Sequence, residues 1–302
     1  MPRKLDTGFP TSDAQSDFGR ARRRHLGARL ASRLRGEPGD VNMILPFDEV
    51  VAALGRKSER SLGLKTIDLD AIVGTVDRQR EFDRSFRPTS AKVKRRWQRI
   101  AEAVRRGEGM PPIDVYEIGG MYFVKDGHHR VSVARQLDLE VIEANVTKIV
   151  TEVEADANVR VADLALKSHE RLFFERVPLP PERRSRIQLS QGSWYAGLAE
   201  GVEAWGFRAM QARKEFMTRE EIAREWFEQE FEPVVNLIRE EGLAEGQTDA
   251  EAYARIVSLR YLLLRTHRWD AETLDRLREE LRRKPPRDED TLTHVMRGEL
   301  RG

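Results

Sequence analysis

The stretch from Pro111 to Leu137 admits few folds. Ile113-Asp114-Val115-Tyr116-Glu117-Ile118 alternates apolar and polar side chains, as a strand with one buried face does. Gly119-Gly120 follows, and glycine accepts the positive φ that two-residue hairpin turns require, so Met121-Tyr122-Phe123-Val124 is expected back as the antiparallel partner. Asp126-Gly127 breaks that strand, and a helix from about His128 to Leu137 is expected at once. Upstream, Ile67 to Val73 suits a short strand and its exit. Pro88-Thr89-Ser90 caps a helix with Val93, Trp97, Ile100, Ala101 and Val104 on one face, and Val141 to Val146 supplies a further strand. Strand, loop, helix, hairpin, turn, helix, strand is a compact α/β unit.

The flanks read differently. Residues 42–54 suit a small helix stopped by Gly55, and residues 1–40 a flexible basic arm. After about residue 150 the pattern is helical. Thr218-Arg219-Glu220-Glu221 and Thr248-Asp249-Ala250-Glu251 both carry the capping-box pattern, each ahead of apolar residues at helical spacing. Pro178-Leu179-Pro180-Pro181 is the expected hinge. The expected organisation is an arm over 1–40, an α/β domain over 41–150, a helical domain over 151–283 and a polar tail over 284–302, α+β overall.

Composition removes several chemistries. The chain has no cysteine, which excludes disulfides, thiolate metal sites and cysteine nucleophiles. Its apolar runs are a few residues long, against roughly 20 needed to cross a bilayer, so no membrane partner is expected. Met1-Pro2-Arg3-Lys4 leads into polar sequence rather than an apolar core, which reads as no secretory signal and a cytoplasmic location. The net charge of +2 gives no bulk attraction to polyanions, yet residues 1–36 hold nine Lys/Arg against three Asp, densest in Gly19-Arg20-Ala21-Arg22-Arg23-Arg24-His25. Such a run serves either as a nucleic-acid contact or as a solvated arm.

The chemistry concentrates at the turn. A helix starting at His128 offers free backbone N–H groups and the positive end of its dipole, the elements of an anion site. Gly127 removes a Cβ from the approach. Arg130 has the fork for two phosphate oxygens, Lys125 adds charge, and His128 and His129 add donors that ordinarily titrate near neutral pH. Asp126 would cap the helix or hold a magnesium ion beside the phosphates. An Asp-Gly turn before a helix is also ordinary, so spacing alone leaves both readings open. Adjacent histidines leave a helix in different directions, which speaks against a two-histidine metal site.

Residues 67–147, a little over a quarter of the chain, resemble the N-terminal domain of the ParB and sulfiredoxin superfamily. Arg78-Gln79-Arg80-Glu81-Phe82 stands where ParB-type proteins carry an xPRxxF-like loop, and Gly127-His128-His129-Arg130 where they carry a G-E-R-R-type turn that binds nucleotide phosphates. The resemblance implies an α/β ParB/sulfiredoxin-like domain followed by a mainly α-helical region, with ATP, ADP or CTP and Mg2+ as ligands. It adds Arg78 and Arg80 to the expected nucleotide contacts Lys125, Gly127, His128, His129 and Arg130. Sulfiredoxins carry G-C-H-R at the turn; with His128 in place of the cysteine, their sulfinic-acid chemistry is excluded. His128 also replaces the ParB glutamate that supports metal binding and hydrolysis. The D-G-H-H-R form is similar to free-serine kinases of this superfamily, which implies a nucleotide-dependent phosphotransferase or NTPase. Asp126, His128 and His129 are then the expected catalytic group, Asp126 the metal ligand, and Asp77, Glu81 or Asp83 the base.

ParB partition proteins follow this domain with a DNA-reading helix-turn-helix. The segment after Thr218 begins like one, but continues acidic through Glu232-Pro233 with no glycine turn, which is wrong for phosphates and base edges. Residues 203–208, 226–235 and 253–268 instead resemble an uncharacterised helical module that accompanies ParB-like domains in bacterial proteins. Trp194, Tyr195, Trp205, Trp226 and Trp269 line either a core or a ligand pocket, and His267-Arg268 is the polar cluster beside them. The partners expected are a nucleotide and, as the alternative, DNA through the basic arm and the Lys92–Arg99 helix face, with a homodimer as a further assembly.

Overall fold

The computed structural model describes residues 7–155, 158–240 and 246–264, with Gly242, Trp269 and isolated positions between 272 and 279 besides. The chain forms two compact units, Met1–Ser168 and His169–Gly302.

The first unit is built on a mixed six-stranded sheet in the order β1-β3-β5-β4-β6-β2. Its strands are β1 Leu45–Pro46, β2 Arg56–Asp68, β3 Ile72–Thr75, β4 Ile113–Ile118, β5 Met121–Asp126 and β6 Val141–Thr151. Its helices are α1 Pro10–Leu34, α2 Phe47–Leu54, α3 Lys94–Arg105 and α4 His128–Gln136. The hairpin is as expected: β4 and β5 are antiparallel, and Gly119 and Gly120 have φ of +56° and +83°.

β3 and β5 are parallel, with Thr75 opposite Val124, and Val76 N–H extends the ladder by donating to the Val124 carbonyl at 3.0 Å. The segment leaving β3 therefore runs beside the segment leaving β5. Open α/β sheets bind ligands outside such carboxyl ends.

The two sheet faces are packed differently. Val115 and Val124 join the core beneath α1, α3 and α4, where Trp97 is fully buried and donates Nε1–H to Ser132 Oγ at 2.8 Å, tying α3 to α4. Tyr116 and Phe123, one residue out of step, meet Phe47 of α2. Gly74 sits against that second layer. A Cβ there would lie 2.1 Å from Phe123 Cδ1 and 2.8 Å from the Leu45 carbonyl oxygen. Gly74→Ala is expected to destabilise by about 1–3 kcal/mol, read as a lower urea midpoint at an unchanged slope.

Three expectations need correction. The segment read as a flexible arm is a 25-residue helix over most of its length, and α1 buries Ala14, Phe18 and Ala21. Phe18 meets Trp97 edge-on at 5.5 Å, and Asp17, fully buried, takes Arg105 of α3 at 2.7 and 2.9 Å. β2 begins eleven residues ahead of the strand expected at Ile67, and that strand itself divides into the end of β2 and β3. β2 is exposed along most of its length and is held by its antiparallel ladder to β6. The domain division falls at Ser168/His169 rather than at 150 or in the proline stretch, because Val177 and Leu179 are buried and the Leu179 carbonyl accepts Arg184 Nε–H at 2.7 Å.

The second unit is helical. α5 Leu164–Arg176 contains the division, followed by α6 Pro181–Arg184, α7 Gly192–Arg213, α8 Arg219–Trp226, α9 Glu232–Glu240 and α10 Asp249–Leu264. Both capping boxes form: Glu221 and Thr218, and Glu251 and Thr248, exchange bonds with each other's backbone N–H. α8 passes into α9 through a π-helical turn, Phe227–Phe231. Pro233 explains the widening, since it has no N–H to give the carbonyl four residues back. With no break between α8 and α9, this is not a helix-turn-helix. His267, Arg268 and the tail over 284–302 lie outside the described residues.

Candidate functional site

α4 begins directly at His128, with Gly127 as its N-cap in the left-handed region at φ +101°. A Cβ on Gly127 would lie 2.4 Å from Ile113 Cγ2, so the position is closed to other residues by conformation and by space. No side chain caps the helix. Among the described residues, the N–H groups of His128 and His129 have no acceptor, while Val131 N–H takes the Gly127 carbonyl.

Arg130 does not face these donors. Its Nη1 bonds the carbonyls of Pro111 at 2.9 Å and Pro112 at 2.5 Å, and its Nη2 bonds Asp126 Oδ2. The expected phosphate fork is instead a strap that ties the turn to the chain entering β4. Asp126 is correspondingly not a cap. Its carboxylate is exposed and paired with Arg130. Lys125 is also elsewhere: its Nζ lies over the Tyr116 ring, 5.5 Å from the centroid, on the face of the sheet opposite Val124.

The two histidines are buried, at 2% and 5% exposure. His128 Nε2 is 2.7 Å from Thr75 Oγ1 and 3.5 Å from Asp77 Oδ1. The His129 side chain makes no hydrogen bond among the described residues, and its buried Nδ1 has no partner. Burial pushes His128 down to about 4 against the opposing pull of Asp77. Burial, then the charges of Arg96 and Arg78, push His129 to about 4 as well. Both are therefore neutral at pH 7, a correction to the expectation of titration near neutrality.

The loop after β3 supplies the other wall. Arg78 donates its N–H to Thr75 Oγ1 at 3.2 Å and its guanidinium to Glu81 Oε2 at 2.9 Å, and it feels the carboxylates of Asp77 and Asp126. Phe82 anchors this loop in the core, with its ring 5.5 Å from that of His129 and 6.4 Å from that of His128. Asp83 points to a different task. It is buried and accepts from Arg87 N–H, Arg87 Nε and Ser85 N–H, with His25 Nδ1 of α1 at 2.8 Å. That removes it from the candidate bases. Arg80 is exposed, and among the described residues its carbonyl accepts the Thr89 hydroxyl.

Thr75, Asp77, Arg78, Glu81 and Arg96 thus gather around His128 and His129. Thr75 and Arg96 were not among the expected site residues. Thr75 is marked in the sequence only as the last residue of a strand, and Arg96 reads as one of several charges on an exposed helix face. Among the described residues no group of three or more His, Asp or Glu side chains is placed to hold a metal by itself, and no helix is long and apolar enough to cross a membrane. No protein-family model matches the chain, and no curated protein matches it.

Proposed function

We propose that the first unit is a ParB/sulfiredoxin-like domain that binds nucleotide phosphates at the start of α4 and transfers a phosphoryl group to a small hydroxyl acceptor. The observation that carries this reading is the pair of unsatisfied amides at His128 and His129, joined by a buried imidazole nitrogen without a partner. Free N–H groups are usual in the first turn of a helix, whereas a buried side-chain nitrogen without a partner is uncommon and is met by water or a ligand. Arg78 and Arg96 supply positive charge beside them, where a helix dipole already favours an anion.

In this reading the phosphate oxygens take the His128 and His129 N–H groups and the Arg78 guanidinium. Mg2+ takes few protein carboxylates when phosphates complete its shell, so Asp77 and Asp126 suffice to hold it. When bound, it neutralises charge developing on the transferred group. Asp77, exposed and nearest to His128, is the carboxylate best placed to accept the acceptor's hydroxyl proton. Gly127, His128 and His129 are buried, and in this reading the adjacent Asp77–Glu81 segment moves to admit the phosphate.

A thermal-shift panel of ATP, ADP, CTP and inorganic phosphate, with and without Mg2+, tests the proposal. A ligand at 100 times its Kd stabilises by about 2.7 kcal/mol, a rise of several degrees. Arg78→Ala is expected to remove that rise. Asp77→Asn is expected to keep binding and lose transfer. No response to any of the four at millimolar concentration, or an unchanged response in Arg78→Ala, would sink the assignment.

The exposed face of α3 supports a second reading. Lys92, Lys94, Arg95, Arg96 and Arg99 are exposed and make no ion pair among the described residues. A face of this kind suits backbone phosphates of DNA. A mobility shift that weakens steeply with salt supports it; no shift at low salt removes it.

A further inference from the structure

The second unit holds a cavity of about 200 Å³ whose lining comes from α7, α8, α10 and the π-helical turn. Trp205, Trp226, Tyr253 and Tyr261 give it aromatic walls. Trp226 and Tyr253 are fixed to each other by a bond from Nε1–H to the phenol oxygen at 3.1 Å.

The charges in this lining do not balance. Arg208 and Arg260 face one carboxylate, Glu230. Arg260 is 1% exposed, and its guanidinium lies 4.1 Å from the centroid of the Trp269 ring. The stacking covers a face and leaves the edge: Nε and Nη1 have no acceptor, and Glu230 Oε1 stands 3.6 Å from Nη1, beyond a hydrogen bond. That oxygen already accepts Trp269 Nε1–H at 3.2 Å. A buried guanidinium with unfilled donors is costly, and its planar fork matches a carboxylate. Glu230 belongs to the π turn, a feature that often marks functional sites.

We infer that this cavity binds a small monocarboxylate with a flat apolar body, its ring against the aromatic walls and its carboxylate on Arg260. The net positive charge of one among Arg208, Arg260 and Glu230 calls for a monoanion, and Glu230 opposes a second negative charge. The volume lies below the roughly 300–1,000 Å³ of drug-sized pockets, so the ligand is about one ring in size. This site is independent of the phosphate site of the first unit.

The probe is benzoate, titrated into the full chain and followed by tryptophan fluorescence and melting temperature, with benzamide as the uncharged match. Benzoate is expected to quench fluorescence and raise the melting temperature, and benzamide to bind about ten-fold more weakly or not at all. Arg260→Gln is expected to weaken benzoate about ten-fold or more. Should that variant fail to fold, Gly201→Leu decides. A Cβ at Gly201 meets nothing within 4 Å and the residue lines the cavity, so leucine fills the space while the arginines stay. It should fold and lose benzoate. Arg78→Ala should bind benzoate as the parent does. No response to millimolar benzoate, equal binding of benzamide, parental binding by Gly201→Leu, or loss of benzoate binding in Arg78→Ala would overturn the inference.

Discussion

Asp17→Ala is expected to lower the stability of the first unit by about 3–5 kcal/mol, the usual cost of stripping one partner from a buried ion pair. Asp17 is fully buried and holds Arg105 through both Nε and Nη2, with Arg20 on its other oxygen. Arg105, itself 9% exposed, would lose both of these bonds, with Asp13 at 3.6 Å. Urea unfolding monitored at Trp97 reads the loss. A double variant, Asp17→Ala with Arg105→Met, should recover much of it, because no buried charge is left unpaired. An Asp17→Ala chain as stable as the parent would mean that α1 is dispensable after all.

Acid is expected to produce the second large effect. In an unfolded chain His128 and His129 titrate near 6.5, whereas in the fold both lie at about 4. Between those values the unfolded chain binds more protons. Stability from this source is therefore complete above about pH 6.5, falls as the pH is lowered, and is gone below about pH 4. Each histidine contributes on the order of 3 kcal/mol, an upper figure given how close the two stand. Urea midpoints at pH 7 and pH 5 measure it, and a His128→Asn, His129→Asn variant should flatten the difference. Bound phosphate should raise both pKa values, so that binding near pH 5.5 takes up protons. Equal midpoints at pH 7 and pH 5 in the parent would contradict the burial of the two rings.

What was legible in the sequence follows from where the information is local. The β4–β5 hairpin and α4 could be read because Gly119-Gly120 and Asp126-Gly127 encode their own backbone geometry. α1 could not be read as packed, because its buried face is made of Ala14, Asp17, Ala21 and His25 as well as Phe18, and Asp17 and His25 are matched by Arg105 and Asp83, far along the chain. β2 shows no apolar alternation, since both its faces are largely exposed and its pairing with β6 makes it a strand. At the site, the turn and the arginine of its facing loop were visible. The partners of Arg130 were not, because the Pro111 and Pro112 carbonyls reach it only once β4 and β5 are in register.

That strap on Arg130 bears on how a ligand would be received. The peptide planes of the Gly127 turn are aimed during folding, with Ile113 on one side and the guanidinium on the other. Under the proposed phosphate binding, an incoming oxyanion has no backbone to organise at this point, which lowers the entropy that association must spend. Under that proposal, affinity and arrival rate become separately tunable: changes at the strap act on the grip, and changes between Asp77 and Glu81 act on entry.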